Sequence, residues 1–525
     1  MCLITLINNK CVYGRCVPEW PDHILQRSMC WATLCLVRCA IVDKIPGGLS
    51  FVFTQLLLTF DVLVGGILLP GVTGPFMFCA KFAGMLADLI AHQSLTAWKG
   101  PNAVRPCTCC ANLSARKAGP GSDLEVSLAE HDERRFVQST NEEIFLMLDN
   151  LAAVVADGRS SQTKINELQT ELGFNHEPLG ILMNMAMRDT YRPAEHQLTD
   201  WMHVFCQDGV GNTAVALILD RLSKARPAIT NAMAQTFLDQ CVIPIEHGKI
   251  KGEWIEPKRL KNNSLTAFAS MLLSIVPCIA LMLQMYDIAK QLPEEVECFL
   301  MLDQIFGILT LGPRRSMEYI DRLRTLIVGH HRLFARLYPD RIKPKLHHSH
   351  HIVSSMLQLG FLLACFVTER KHRLVKQFAL NTWRHFEHTT LLDCLHQQCE
   401  YLATGHDLFA AEFLVHPNAV RNHAELETST VAVCHVGTLH ASDVICTKDG
   451  VVSRVVSFLR HSGGPVFARV LSFACVDGDC TVRDMRQTTD VIVEVSAILG
   501  ACVWCLCRPQ CAHVMKVRLP PPLLL

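Results

Sequence analysis

Residues 343–373 have the sequence KPKLHHSHHIVSSMLQLGFLLACFVTERKHR, which joins a histidine tract to an acidic residue set among bases. If the tract opens a helix, His347 and His351 lie four residues apart on one face. Two such imidazoles can form half of a four-coordinate zinc site, and a surface histidine tract is the alternative. Glu369 lies eighteen residues after His351. Glu369 is either a solvent-exposed residue that forms ion pairs, or a metal ligand. In the second case the neighbouring basic side chains would bind a phosphate backbone.

A second group of candidate residues lies upstream, in residues 88–110. Asp88 ends an apolar run and precedes a helix-like segment. Such an aspartate either stands at the carboxyl end of a strand, where open α/β sheets bind ligands, or caps the following helix. Cys107, nineteen positions after Asp88, begins a CxxC motif that ends at Cys110. Two thiols on one turn suit half of a zinc site, whereas a redox pair and an incidental spacing are the alternatives.

The third group is the tetrapeptide DWMH at residues 200–203. Asp200 and His203 are three positions apart, so a helix presents both on the same side. Taken alone, a buried Trp/Met stripe with a hydrogen-bonded histidine is the simpler interpretation.

These groups stand in the order found in cut-and-paste DNA transposases of the CACTA (En/Spm-like) family, which the chain resembles over roughly residues 40–415. The similarity comprises D-x-x-A followed by K-G-x-x-A-x-x-x-C-x-x-C, from Asp88 to Cys110, and D-x-M-H, from Asp200 to His203. It also includes K-P-K-x-H-x-x-x-H and F-x-x-E-R-K-H-R within residues 343–373. This last block is the most specific of them.

The resemblance implies an α/β core of the RNase H-like type, interrupted by a large all-α insertion before the last catalytic carboxylate. Such transposases hold two divalent ions, Mg or Mn, with Asp, Asp and Glu, and use them to cut and join DNA. By position, Asp88 is similar to the second carboxylate and Glu369 to the third. Asp200 and His203 match the family's D-x-x-H signature and are expected to support the site.

The same layout is similar to that of the recombination-activating recombinase of immune-gene assembly, which binds structural zinc. That resemblance implies a zinc ion held by Cys107, Cys110, His347 and His351. Zinc would then fix Glu369 relative to Asp88.

The family's first catalytic aspartate has no clear counterpart. Upstream of Asp88 the chain offers Asp22, Asp43 and Asp61, none in a clear β-hairpin context. The first 45 residues also look poorly suited to form opening strands. We therefore expect a transposase-derived protein with an incomplete core that binds DNA and fails to cut it. One alternative is a non-catalytic DNA-binding or scaffold protein that was domesticated from a transposase. The other is a membrane protein with helices near residues 49–71 and 265–285.

Composition limits where nucleic acid can bind. Half of the 525 residues are hydrophobic, which indicates a folded protein, and the formal net charge is zero. Any DNA-binding surface must therefore be a local basic patch. The 25 cysteines are spread along the chain and no secretory signal is evident, which favours reduced thiols in the nucleus or cytoplasm. The residues expected to contact DNA are Lys343, Lys345, Arg370, Lys371, Arg373 and Lys376.

Two apolar stretches are long enough to be tested as membrane spans. Residues 265–285 contain no charge, whereas residues 49–71 contain Asp61 and are broken by glycines and a proline. We expect the first stretch to be a buried helix of a large all-α region, because polar helical sequence flanks it on both sides. No membrane partner is therefore expected.

Periodicity suggests four segments. Residues 1–47 predict no defined structure. Residues 48–122 are expected to form a partial core that carries the CxxC loop, and the pattern of residues 49–91 favours strands and turns. Residues 123–415 form the helical insertion and the return to the core, with helices expected at 141–156, 213–225, 230–242, 293–311 and 317–338. Residues 428–518 predict a small all-β domain, a barrel or sandwich, and residues 520–525 an unstructured end. A homo-oligomer is possible.

Overall fold

The protein was analysed as a computed structural model, which describes residues 2–6, 10–15, 22–71, 74–79, 82–115, 126–382, 384–404, 410, 412–420, 423–476, 479–507 and 513–519. The predicted unstructured end at residues 520–525 lies outside these ranges.

Helices occupy most of the middle of the chain. They are α1 (Asp22–Leu25), α2 (Cys39–Val42), α3 (Gly48–Gly65), α4 (Leu89–Thr96), α5 (Asn141–Asp157), α6 (Gln162–Leu172), α7 (Pro193–His196), α8 (Trp201–Phe205), α9 (Val210–Lys224), α10 (Asn231–Gln240), α11 (Ala269–Met285), α12 (Pro293–Leu309), α13 (Ile320–Leu337), α14 (Pro344–His348), α15 (His350–Leu359), α16 (Phe366–Leu380) and α17 (Phe386–Thr404). The five predicted helices correspond to α5, α9, α10, α12 and α13 and are confirmed to within three residues at each end.

Most strands lie toward the two ends of the chain, and short two-residue strands lie between them. They are β1 (Cys2–Leu6), β2 (Lys10–Arg15), β3 (Ala32–Arg38), β4 (Ile67–Leu69), β5 (Phe76–Phe78), β6 (Phe82–Ala87), β7 (Leu113–Ser114), β8 (Val126–Ser127), β9 (Gln197–Leu198), β10 (Leu260–Lys261), β11 (Ser264–Leu265), β12 (Phe413–Val415), β13 (Asn418–Val420), β14 (His423–Ser429), β15 (Val431–Cys434), β16 (Gly437–His440), β17 (Val444–Thr447), β18 (Val452–His461), β19 (Val466–Val476), β20 (Asp479–Glu494), β21 (Ile498–Ala501), β22 (Val503–Leu506) and β23 (Val514–Arg518). The all-β character of the C-terminal region is confirmed.

The chain divides into two compact units. The first comprises Met1–Trp20, Leu25–Val204 and Tyr338–Gly405, and the second comprises Pro21–Ile24, Phe205–Leu337 and His406–Leu525. The long helical stretch expected at residues 123–415 is therefore shared between the two units. Its central part, residues 205–337, groups with the C-terminal strands.

The first unit is built on a small parallel sheet of order β1-β6-β9, and β2 and β3 form an antiparallel pair. Helices α3, α4 and α5 contribute to the adjoining core, in which Phe53, Met85 and Leu148 are almost fully buried. The core also contains Tyr191, whose ring contacts Phe53 edge to face. This sheet positions the candidate site, because the site begins where β6 and β9 end.

Two expectations for this unit were wrong. Residues 1–47 contain strands β1, β2 and β3 instead of an undefined segment, and residues 48–65 form the long helix α3 instead of strands and turns. No glycine or proline interrupts residues 49–64. Their near-uniform hydrophobicity conceals the helical period, although Phe53 and Leu57, four apart, both face the core.

The second unit contains the helices α9 to α13 and the C-terminal strands. Helix α11 includes most of the apolar stretch 265–285, and Ile275, Ile279 and Leu281 on it are fully buried. The expectation of a buried helix is confirmed. Within the described ranges, no helix combines the length and the apolar character that crossing a membrane requires.

The C-terminal strands form one large antiparallel sheet and one small one. The large sheet has the order β13-β14-β18-β19-β20-β23-β22, and β17 joins it by pairing with β18 and β21. The small sheet has the order β12-β15-β16. Phe458, Val470 and Ile498 are fully buried at their centre.

Candidate functional site

Two acidic residues of the site follow neighbouring parallel strands. Asp88 comes directly after β6, and Asp200 comes two residues after β9. Because parallel strands end on the same edge of a sheet, both carboxylates are brought to that edge. Asp88 also caps α4 by accepting a hydrogen bond from the Ala91 amide at 2.6 Å. Both interpretations of Asp88 therefore hold: it ends a strand and it begins a helix.

Asp200 is a buried carboxylate whose two oxygens are both engaged. One oxygen accepts from the amides of Met202 at 3.3 Å and Cys365 at 2.9 Å. The other accepts from the His203 amide at 3.1 Å and pairs with His203 Nδ1. Burial alone would raise the pKa of Asp200, but the bond and charge of the His203 side chain, together with the Cys365 and His203 amides, outweigh burial and lower it. Asp200 thus ties α8 to the residue that precedes α16.

Glu369 lies in the first turn of α16, four residues after Cys365. Its side chain is exposed. Partial loss of hydration raises the pKa of Glu369, the neighbouring His203 lowers it, and Asp88 and Asp200 raise it further. Because both aspartates affect the pKa of Glu369, Asp88 and Asp200 lie within electrostatic range of the Glu369 carboxyl group. The structure thereby brings together three sequence motifs that are far apart along the chain.

Replacing Asp200 by alanine is expected to loosen this connection. The amides of Met202, His203 and Cys365 would lose their acceptor, and an unpaired buried donor costs about 1–3 kcal/mol. Hydrogen exchange of peptides that cover Cys365 and α8 should accelerate at least tenfold in Asp200→Ala. The matched control is Asp189→Ala, an exposed aspartate of the same unit. Equal exchange in the two variants would contradict this role for Asp200.

Four metal-binding residues predicted from the sequence converge in the first unit. Cys107 and Cys110 lie on the loop after α4, and His347 and His351 lie on α14 and α15. All four are buried, and their ligand atoms lie within 4.8 Å of one another. The helix breaks at Ser349, between α14 and α15, but His347 and His351 still share a face, with their Nε2 atoms 3.0 Å apart.

The ligand atoms of this cluster lie close enough together to bind one metal ion. His351 Nε2 lies 3.2 Å from the Cys107 sulfur and 3.6 Å from the Cys110 sulfur. A zinc ion with two sulfur and two nitrogen ligands spaces its ligand atoms roughly 3.3–3.8 Å apart, so the 3.0 Å and 3.2 Å separations would widen slightly around the ion. Burial, followed by the neighbouring His348 and His350, lowers the pKa of His351 to about 3, which keeps its imidazole in the neutral form that binds metal. Burial also raises the pKa of Cys107, so a cation is needed to stabilise its thiolate.

The basic residues that are predicted to contact DNA differ in their exposure to solvent. Glu369, Arg373 and Lys376 are exposed at helical positions i, i+4 and i+7, which lie on one face of α16. Arg370 is exposed and donates to the Gln26 carbonyl at 2.6 Å, Lys343 is exposed, and Lys345 is half-buried. Lys371 is only 2% exposed, and its ammonium has no hydrogen-bond partner in the described part of the chain. The structure therefore does not place Lys371 with the other basic residues.

Sequence reasoning missed three residues that the structure places at the site, namely Cys365, His92 and His348. Cys365 lies with Asp200 and His203 within 4.8 Å. His92, on α4, is buried, and burial lowers its pKa to about 4. A small cavity of about 50 Å³ is lined by His92 and His348 together with Asp200, His203 and Lys345. The spacing of His92, four residues after Asp88 on a helix, is the signal that could have revealed it.

No protein-family model matches this sequence, and no curated protein matches it.

Proposed function

We propose that this chain is a transposase-derived DNA-binding protein, related to enzymes of metal-dependent DNA cleavage and transfer, whose own cleavage site is defective. The observation that carries the proposal is the placement of Asp88 and Asp200 just after two neighbouring parallel strands, with Glu369 within electrostatic range of both carboxylates. The CACTA resemblance identifies these same residues without reference to the fold. A nuclear or cytoplasmic location follows from the same proposal.

The order of the first strands supports an RNase H-like core. An antiparallel pair, β2 and β3, follows β1, and β1 lies parallel to β6. Strand β9 pairs with the other side of β6, so Asp88 stands beyond the central strand of three. In such a core, the carboxylates at this edge are the ones that bind divalent ions. Mg or Mn would be held by Asp88 and Glu369.

The Cys107–Cys110–His347–His351 cluster is proposed to bind zinc as a structural ion. Two thiolates and two neutral imidazoles are a common ligand set for closed zinc sites. Zinc here would fasten the loop after α4 to the start of α15, 244 residues apart along the chain. It would thereby hold the segment that leads to Glu369 against the loop that follows Asp88.

The exposed face of α16 is proposed to contact the DNA backbone. Arg373 and Lys376 follow Glu369 on this face, and Lys343 is exposed just before α14. Cations on a rigid helix bind phosphates without regard to base sequence. Since the chain has no net charge, this local patch would supply the attraction.

Binding of the full chain to a labelled DNA duplex at increasing salt tests the proposal. Affinity should fall linearly on logarithmic axes, and Arg373→Ala/Lys376→Ala should reduce the slope by about 2, because each lost phosphate contact removes about 0.9. The matched control is Arg159→Ala/Lys164→Ala, which removes two exposed cations at and before α6. A slope that falls equally in both variants, or binding that is insensitive to salt, would refute the proposed surface.

A further inference from the structure

Strand β20 leaves part of one edge of the large C-terminal sheet unpaired. On one side, residues 488–494 of β20 pair with β19, after an irregularity in the register. On the other side, β23 pairs only with residues 482–484, near the beginning of β20. In the part of the chain that the structure describes, no strand pairs with residues 486–494 on that second side. This segment therefore presents backbone amide and carbonyl groups with which another strand can pair.

Apolar side chains on this segment are open to solvent. Residues 486–494 are exposed apart from Val493, which is half-buried, and Ile492 is 60% exposed. Val491 is 38% exposed, although it lies directly opposite the fully buried Val470 of β19. Directly opposed residues share one face of a sheet, so the core-facing side of this sheet ends, still partly uncovered, at Val491. A further strand at this edge would cover it.

The sequence of this edge favours strand pairing. Residues 488–493 read TTDVIV, so every residue except Asp490 is β-branched. Proteins commonly protect an exposed edge strand with lysine or proline, and residues 486–494 contain neither. Asp490 forms an ion pair with Arg469 of β19, so its charge is balanced within the chain. These features are typical of a strand that pairs with another chain.

The charges at the two ends of the segment indicate which chain this is. Arg486 lies at the beginning, and its side chain is 66% exposed although it also pairs with Asp484. Glu494 lies at the end, is exposed, and forms no ion pair among the described residues. When two copies of such a segment pair antiparallel, the basic end of each copy meets the acidic end of the other. The charges therefore favour a second copy of this chain over an unrelated extended peptide.

Antiparallel pairing restricts the register that two copies can adopt. Only alternate residues of β20 direct their amide and carbonyl groups away from β19, and such residues must lie opposite outward-directed residues of the second copy. A twofold axis that passes at a residue meets this requirement, whereas an axis midway between two residues does not. Among the permitted axes, the one at Asp490 places Arg486 opposite Glu494, because Asp490 is midway between them.

We propose that β20 is a dimerisation strand, which pairs antiparallel with β20 of a second copy of this chain about a twofold axis at Asp490. Arg486 of each copy then lies opposite Glu494 of the other, and Thr488 lies opposite Ile492. The two Asp490 side chains face each other, and the ion pair of each with its own Arg469 reduces their repulsion. The large sheet continues from one copy into the other, and Val491 of both copies is covered.

Disulfide crosslinking of the full chain tests the register. In Asp490→Cys the two introduced thiols face each other across the axis, where opposed α-carbons lie about 4.5–5.5 Å apart, within the range that a disulfide requires. Mild oxidation should give a covalent dimer in which mass spectrometry finds position 490 linked to itself. The matched control is Thr488→Cys, whose introduced thiols are offset by four residues, or about 14 Å along the strands. It should give at least tenfold less self-linked peptide.

Sedimentation equilibrium of the full chain tests the charge pairing. The unmodified chain should dimerise at concentrations up to about 100 μM. Glu494→Arg and Arg486→Glu each place like charges opposite one another at both ends of the ladder, so each should weaken dimerisation at least tenfold. The double variant Arg486→Glu/Glu494→Arg restores opposite charges and should restore the dimer.

The control for charge reversal is Glu253→Arg, which changes an exposed glutamate of the same unit outside the sheet and should leave the dimer intact. A chain that stays monomeric over this range would overturn the proposal, even if an extended peptide bound at the same edge. A dimer that lacks the self-linked peptide of position 490, or whose affinity is unchanged by charge reversal, would overturn it as well. Thermal melting of each variant establishes that it is folded when it is measured.

Discussion

Replacing Cys107 and Cys110 together by serine should remove one zinc ion per chain and destabilise the first unit severely. All four proposed ligands are buried, so loss of the ion removes the group that would hold their polar atoms together in the interior. Structural zinc contributes on the order of 10 kcal/mol of apparent binding free energy, and that energy is folding energy. We therefore expect the melting transition of this unit to fall by roughly 10 °C or more. Elemental analysis and calorimetry measure the two effects.

The chain provides a close control for this experiment. Cys109 lies between the two proposed ligands and is only half-buried, and it is outside the four-residue cluster. Cys109→Ser should keep the zinc and most of the stability. Purified wild-type protein without zinc would contradict the assignment, as would equal melting temperatures for the double variant and Cys109→Ser.

The metal cluster is the part of the site that sequence spacing predicts best. A CxxC pair is local, and two histidines four apart share a helix face, so each half of the cluster is fixed by its own short segment. Their convergence over 244 residues was expected only from the resemblance. The break at Ser349 was not foreseen, but it does not separate His347 from His351.

Other parts of the site were beyond sequence reasoning because they depend on packing. Lys371 and Arg373 belong to one basic run, yet α16 turns the first into the core and the second into solvent. Cys365 has no motif of its own, and its place beside Asp200 follows from the bond between its amide and that carboxylate. The strands of residues 1–47 were missed because β1 is stabilised by pairing with the distant β6. The local pattern of hydrophobic residues gives no information about a pairing partner so far away along the chain.

The purified chain should bind DNA but fail to nick supercoiled plasmid in Mn²⁺. Two-metal cleavage needs carboxylates on both sides of the metal pair. Strand β1, the parallel neighbour of β6, has the sequence CLITL and offers none. Of the three upstream aspartates, Asp22 accepts from Arg314 at 2.9 Å, and Asp43 is exposed after α2. Asp61 belongs to α3, and its side chain lies outside the described part of the chain.

Asp200 does not replace the missing group, because its oxygens already accept hydrogen bonds from Met202, His203 and Cys365. Loss of one member of a catalytic unit costs several orders of magnitude in rate, so plasmid should remain supercoiled over hours. The controls are Asp88→Ala and Glu369→Ala, compared with the unmodified chain at equal DNA occupancy. Nicking by the unmodified chain that disappears in both variants would show a working site. The missing carboxylate would then have to come from Asp43 or Asp61, and Asp43→Ala and Asp61→Ala would distinguish them.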